Sequence, residues 1–294
     1  MRLKILLGVI ALLLAVPAAA QLEGVIDVHV HAAPDSRARS VDAFEVARMA
    51  QRMGMRAVVF KNHYTHTASL AYLVAQRVPG MQFFGGIALN NTVGGVNPEA
   101  VEHMALTAGG LGKVVWLPTF DSEYNHRTAA PSPRPVSIMR GGELLPDVVR
   151  VLELIAEYDL SLATGHSSPT ETLRLIPIAQ AAGVERIIVT HPGSPLVRMS
   201  LDQQRQAAAL GALLEYPIGT YAPPSEQTFE EMIAQIRVVG IEHVVLSTDF
   251  GQPLRPTPAD GLLGYIRRLQ DAGFSQAELD LMTKRNPARF LGLD

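Results

Sequence analysis

Eight short apolar runs recur along this chain, and each is followed by a stretch whose apolar residues are spaced for a helix. The runs lie at 24–30, 56–60, 82–89, 113–117, 161–164, 186–190, 212–216 and 243–247. The helical stretches lie at 40–53, 68–77, 98–107, 144–158, 169–182, 201–209, 226–239 and 258–272, with a last one at 276–291. Short, nearly continuous apolar runs read as strands buried on both faces, as in a parallel sheet. Parallel neighbours need a crossover connection, and one helix between consecutive strands supplies it. The pattern predicts an α/β fold, a single-domain (β/α)8 barrel of the TIM type. An open doubly wound sheet is the alternative; it usually has fewer strands and a Gly-rich phosphate turn after the first. Here the first strand runs instead into His29-Val30-His31-Ala32-Ala33-Pro34. Ser40 is the expected cap of the first helix.

With 294 residues the chain suffices for one large domain, and its formal net charge of -3 leaves no basic stripe for nucleic acid. It contains no cysteine, which excludes disulfides, thiolate zinc sites, thiol nucleophiles and a lipidated N-terminal cysteine. The first twenty residues read as a signal peptide. Arg2 and Lys4 give a positive start, 5–16 is a short apolar run, and Ala18-Ala19-Ala20 is a small-residue cleavage site. An uncleaved anchor is the competing reading, but the run is short for a bilayer. The expectation is a signal peptide at 1–20 and an exported mature chain at 21–294. That chain would be periplasmic or secreted, with no membrane anchor after processing. One connection, 119–142, is long and carries Pro131, Pro133, Pro135, Gly141 and Gly142. A segment of this kind is a lid over the active face or a disordered insert, and the lid is the favoured reading.

The chemistry-bearing residues sit where the strands end. His29 and His31 share one face of their strand, about 7 Å apart. His166, His191 and Asp249 follow the fifth, sixth and eighth runs. In a barrel the C-terminal strand ends converge on one face. One histidine at a strand end is most often a hydrogen-bonded structural residue; five metal-competent side chains in register with the ladder point to a site. Imidazole nitrogen and carboxylate oxygen suit zinc first, with manganese or iron also compatible.

In order and placement, this set resembles the amidohydrolase superfamily. The match is the His29-x-His31 pair on the first strand, His166 on the fifth, His191 on the sixth and Asp249 on the eighth. The tail at 283–292 resembles the superfamily's closing helix. Phe60-Lys61-Asn62-His63-Tyr64, Ala163-Thr164-Gly165-His166 and Thr190-His191-Pro192 are most similar to a poorly characterised branch. The resemblance covers essentially the whole mature chain. It implies a metal-dependent hydrolase that activates water against an amide, a lactone or a related small ester, with one or two divalent ions. His29, His31, His166, His191 and Asp249 would be ligands, and Asp249 would also take the proton of the water and return it to the leaving group.

One position departs from that pattern. Two-metal members often carry a carboxylated Lys or a Glu at the end of the fourth strand, which here is Trp116-Leu117-Pro118-Thr119. Lys61, at the end of the second strand, is the candidate bridge if carboxylated, and otherwise a contact for a substrate anion or for the fold. His63, Asn90, Arg37 and Arg39 are candidate substrate contacts. Glu215, inside the seventh strand, faces the barrel or pairs with a core Arg, and the structural reading is the favoured one. Two alternatives stay open: a one-metal decarboxylase, with Arg37 or Arg39 gripping the carboxylate, and a non-catalytic exported barrel that binds metal or ligand. Serine and nicotinamide chemistry lack their glycine signatures. The partner implied is a small-molecule substrate, with its identity and the oligomeric state left open.

Overall fold

The computed structural model describes residues 22–129, 131–221 and 227–293. The signal peptide expected at 1–20 lies outside the described residues. Eight parallel strands form one sheet: β1 (Ile26–Val30), β2 (Ala57–Phe60), β3 (Gln82–Ala88), β4 (Gly112–Trp116), β5 (Ser161–Ala163), β6 (Ile187–Val189), β7 (Leu213–Pro217) and β8 (Val244–Ser247), paired in that order. The sheet closes where the site lies. Asp249 N–H donates to the His29 carbonyl at 2.9 Å, and His31 N–H donates to the Phe250 carbonyl at 2.8 Å. The architecture is the expected (β/α)8 barrel. Helices α1 (Ala43–Arg52), α2 (Ala68–Ala75), α3 (Pro98–Ala105), α4 (Pro146–Glu157), α5 (Pro169–Ala181), α6 (Leu201–Ala209), α7 (Phe229–Val239) and α8 (Pro258–Asp271) follow the strands in turn.

Alternation along the strands builds two cores. Ala57 and Val59 of β2 join Val114 and Trp116 of β4 and Ile188 of β6 in one cluster. Val58, Phe60, Val115 and Val189 face the other way and pack with helix residues such as Val46, Ala71 and Ile155. Period-two burial on both faces is what a fully covered parallel strand requires. Trp116 fits inside the barrel because Gly86 of β3, paired with Val114, leaves room for its ring. A Cβ at Gly86 would lie 2.0 Å from the Val114 carbonyl oxygen and 2.6 Å from the Trp116 ring.

Helix starts are set by local chemistry. Ser168 with Glu171, Ser200 with Gln203, Thr228 with Glu231 and Ser275 with Glu278 form capping boxes. The first helix corrects the sequence reading: Asp42, not Ser40, is its cap, boxed with Glu45. Both satisfy the short-oxygen rule, and only Asp42 has an acid three residues on to reciprocate. The closing segment expected as one helix is Gln276–Asp280, a π turn Leu281–Arg285, and Asn286–Leu291. Pro287 lacks the N–H that an α-helical bond to the preceding turn would need, and a widened turn accommodates it.

The connection at 119–142 is structured in its described part. It holds a short helix, Glu123–Thr128, and one arm of a two-residue hairpin, Met139–Arg140 against Glu143–Leu144. Ser122 Oγ donates to the His166 carbonyl at 2.9 Å, and Asn91 N–H donates to Asp121 at 2.9 Å. These bonds fasten the segment to neighbouring strand ends. Its Phe120 ring is the part that reaches the cavity.

Candidate metal centre

A cavity of about 260 Å³ opens at the C-terminal ends of the strands. His29, His31, Lys61, His166, His191 and Asp249, each from a different position in the sequence reading, all line it. His29 Nε2, His31 Nε2 and Asp249 Oδ1 converge there: the carboxylate oxygen is 3.2 Å from the first and 3.0 Å from the second. Among the described residues, these three form the group whose ligand atoms all lie within 4.8 Å of one another.

Local irregularities aim the side chains. Pairing of β1 with β2 shifts register between Asp27 and Val30, so Val28 and His29 are not held to strict alternation. The buried Asp27 carboxylate stabilises that break. It accepts hydrogen bonds from His29 N–H at 3.2 Å, Thr248 N–H at 3.2 Å and Thr248 Oγ1 at 2.6 Å, which joins the first strand to the segment after the eighth. His191 and Asp249 have φ of 28° and 53°. Non-glycine residues in that region carry backbone strain, which tends to gather at functional sites. Gly251 follows with φ of 127°, and a Cβ there would stand 1.8 Å from the His31 carbonyl oxygen.

The second ring nitrogens decide what the imidazoles can do. His29 Nδ1 lies 2.7 Å from Glu215 Oε1, and His31 Nδ1 lies 2.9 Å from the Lys61 carbonyl oxygen. Both partners are acceptors, so both Nδ1 atoms carry hydrogen and donate. The Nε2 atoms that face Asp249 are then the ones available as ligands, the arrangement that orients metal-binding histidines. His191 Nδ1 pairs with Ser194 Oγ at 2.9 Å, leaving its Nε2 for the cavity. His166 Nδ1 is buried without a hydrogen-bond partner. A buried imidazole nitrogen left unsatisfied is costly unless a further group meets it. The donor chemistry and the orphaned nitrogen both fit a divalent cation.

Charge follows the same geometry. Burial pushes the Asp249 carboxyl up, but His29 and His31 outweigh it and hold it well below the usual carboxylate range. Burial also pushes Glu215 up, and His29 outweighs it to leave a value of about 2. For His29, burial and Lys61 push down while Asp249 and Glu215 hold the imidazole up at about 9. Burial lowers His31 and His191 to about 4, and lowers His63 and His166 well below the ordinary imidazole range. Without a cation, therefore, the cluster holds one imidazolium between two carboxylates and four neutral rings.

Lys61 is buried, with Nζ 3.1 Å from His29 Nε2 and 5.1 Å from the centre of the Trp116 ring. Burial lowers its amine to about 8 against the pull of Asp249 and Glu215. Its inward position continues the parity of Ala57 and Val59. Glu215 likewise faces inward and takes the buried Ser247 Oγ at 2.7 Å as well as His29. The available signal was a lone carboxylate in the apolar stretch Leu213-Leu214-Glu215-Tyr216-Pro217.

The outer candidates separate. His63 lines the cavity, stacked on His31 at 5.1 Å between ring centres, and pairs with Thr119 Oγ1 at 2.8 Å. Asn90 is not among the residues that line the cavity. It is fully buried, gives its amide hydrogens to the His63 carbonyl and Thr119 Oγ1, and accepts from Thr119 and Asp121 N–H. The sequence reading placed it at a strand end, and the folded loop consumes its polar groups. Arg37 and Arg39 both line the cavity. Phe120 and Thr119 gave no sequence signal, because their contact with the site depends on how the long connection folds back.

Residues 24–215 match the model of a family of unknown function, DUF6282. No curated protein matches the sequence. Among solved structures, the chain is similar to an organophosphorus hydrolase from Deinococcus radiodurans: 16% identity, 93% of this chain and 94% of that one covered, TM-score 0.62. It is also similar to a structure described as organophosphate hydrolysis activity engineered from a weak promiscuous lactonase template. The values there are 17% identity, 94% and 97% coverage, and a TM-score of 0.60. At such identities the likeness is one of fold, and it is the barrel that the amidohydrolase resemblance implied.

Proposed function

This chain belongs to the DUF6282 family, and from the geometry of its barrel mouth we propose that it is a metal-dependent hydrolase of small esters, lactones or amides. The observation that carries the proposal is the convergence of His29 Nε2, His31 Nε2 and Asp249 Oδ1, with both Nδ1 atoms turned to fixed acceptors. The two similar structures bear descriptions of organophosphate hydrolysis and of a lactonase, which adds phosphotriesters to the first substrates to try.

His29, His31 and Asp249 would hold one divalent ion, zinc first. His166 and His191, with ring centres 5.0 Å apart, would hold a second ion or orient a substrate oxygen. Lys61, beside His29, would bridge two ions if carboxylated. A bound divalent ion lowers the pKa of water toward neutrality and polarises a carbonyl or phosphoryl oxygen. Asp249 is ionised, stands at the cavity and is the group that takes a proton from water and delivers it to the leaving group. Glu215 holds the His29 ring against rotation, and the Lys61 carbonyl does the same for His31.

The test is elemental analysis joined to turnover of a p-nitrophenyl ester, a lactone, an anilide and a phosphotriester. Metal bound in wild type and lost in His29→Ala supports the site. Asp249→Asn should lower kcat by about a hundred- to ten-thousand-fold at saturating metal. A protein that binds no zinc or manganese after reconstitution sinks the proposal. Two ions per chain would also make Lys61 the leading bridge.

A further inference from the structure

The charged side chains around the cavity are unevenly committed. Arg37, Arg39, Lys61 and Asp249 all line it. Asp249 is engaged by His29 and His31, and Lys61 by His29 and the Trp116 face. The Arg39 side chain is buried against the equally buried Asp35, with contacts of 2.6 and 2.7 Å. Arg37 differs. It is exposed at the mouth and, among the described residues, takes part in no ion pair. Asp35, two residues earlier, accepts a bond from the Arg37 backbone N–H at 3.1 Å and keeps its side-chain contacts for Arg39. The Arg37 guanidinium rests instead over Phe120 at 4.7 Å and Tyr64 at 5.4 Å.

That perch is tied to the candidate metal centre. The Phe120 ring lies 4.2 Å from His63 and 5.5 Å from His166, centre to centre. The guanidinium and the two imidazoles therefore all touch one aromatic ring. A cation held over ring faces keeps its in-plane N–H donors free, and a guanidinium offers them as a fork matched to an oxyanion. Leu196 and Pro253 add apolar wall to the same cavity.

We propose that the substrate carries an anionic group, a carboxylate or a phosphate, which Arg37 grips while the scissile bond lies over the histidines; this rests on the hydrolase reading above. The apolar lining of the same cavity fits a short carbon chain, and the cavity volume of about 260 Å³ keeps the acid small. The site then discriminates a charged small ester from its neutral isostere by one charge-assisted contact at the mouth.

The experiment compares mono-p-nitrophenyl glutarate with its distal methyl ester on metal-loaded wild type, Arg37→Gln, Arg37→Ala and Arg37→Lys. Wild type should prefer the acid by about ten- to hundred-fold in kcat/KM, carried mainly in KM. Arg37→Gln and Arg37→Ala should collapse that ratio, and Arg37→Lys should restore part of it. Equal kcat/KM for the two esters, or a ratio indifferent to Arg37, overturns the proposal while leaving the hydrolase reading intact. Should neither ester turn over, the hydrolase reading fails on these substrates, and calorimetric titration still decides the anion. Glutarate or inorganic phosphate binding that weakens about tenfold or more in Arg37→Gln upholds it, and the stronger of the two identifies the source. Binding of neither, or binding unaffected by the substitution, overturns it.

Discussion

Glu215 accepts the Nδ1 hydrogen of His29 at 2.7 Å, across 186 positions of sequence. The pair is buried, and it turns the opposite nitrogen of His29 to the cavity. A carboxylate in this place also raises the basicity of the ring. Glu215→Gln should therefore weaken zinc binding by about 10- to 100-fold, read by competition with a chelating indicator. An unchanged affinity would mean that His29 is not a ligand.

The proton on His29 gives metal binding a pH dependence. The ring is held up at about 9 by Asp249 and Glu215 despite burial and Lys61, so below that pH a cation must displace a proton. Affinity should rise about tenfold per pH unit from 6.5 toward 9, with one proton released per ion from this ring. The metal-free protein runs the other way. A group whose folded value exceeds its unfolded value of 6.5 contributes stability that is full below 6.5 and lost as pH rises through 9. Urea unfolding of chelator-treated protein at pH 6 and pH 9 should show that loss, and His29→Gln should flatten it.

Gly251 leaves no room for a side chain. With φ of 127° and the His31 carbonyl 1.8 Å from a Cβ, Gly251→Ala should cost at least about 2 kcal/mol of folding stability. It should also disturb the backbone bond from His31 to Phe250 that closes the barrel, and so weaken metal binding. Thermal unfolding and zinc titration check the two effects; a wild-type Tm would contradict the steric argument.

Export is expected from the first twenty residues, with Gln21 as the mature N-terminus. Leu22 is fully buried in the core, so cleavage before Gln21 would leave the anchored chain intact. N-terminal sequencing of protein from the exported fraction should begin at Gln21. Recovery of full-length protein in the membrane fraction would argue for an uncleaved anchor. No helix among the described residues is long and apolar enough to cross a membrane.

Strand and helix alternation was plain in the chain because burial on both faces and helical spacing leave local marks. On β2, Ala57, Val59 and Lys61 share the inward face, with alternate residues turned out. Parity put His29 and His31 on one face, and both line the cavity although the β1 ladder is irregular between Asp27 and Val30. Strand-end position misled at Asn90, whose polar atoms are consumed by His63, Thr119 and Asp121. The cap of the first helix was misread by two residues, because a reciprocal acid at Glu45 outweighs the presence of a serine at Ser40.

By itself the sequence determined the barrel and that His29, His31, His166, His191 and Asp249 meet at one end of it, because strand ends of a parallel barrel share one face whatever the loops do. Tertiary structure alone decided their states. Which imidazole keeps a proton, which nitrogen turns to the cavity, and which arginine stays unpaired depend on Glu215, the Lys61 carbonyl, Asp35 and Phe120. These are contacts over a few ångströms between segments far apart in the chain. Electrostatic and hydrogen-bond effects in a buried site vary steeply with distance and desolvation, and no spacing rule in one dimension carries that information.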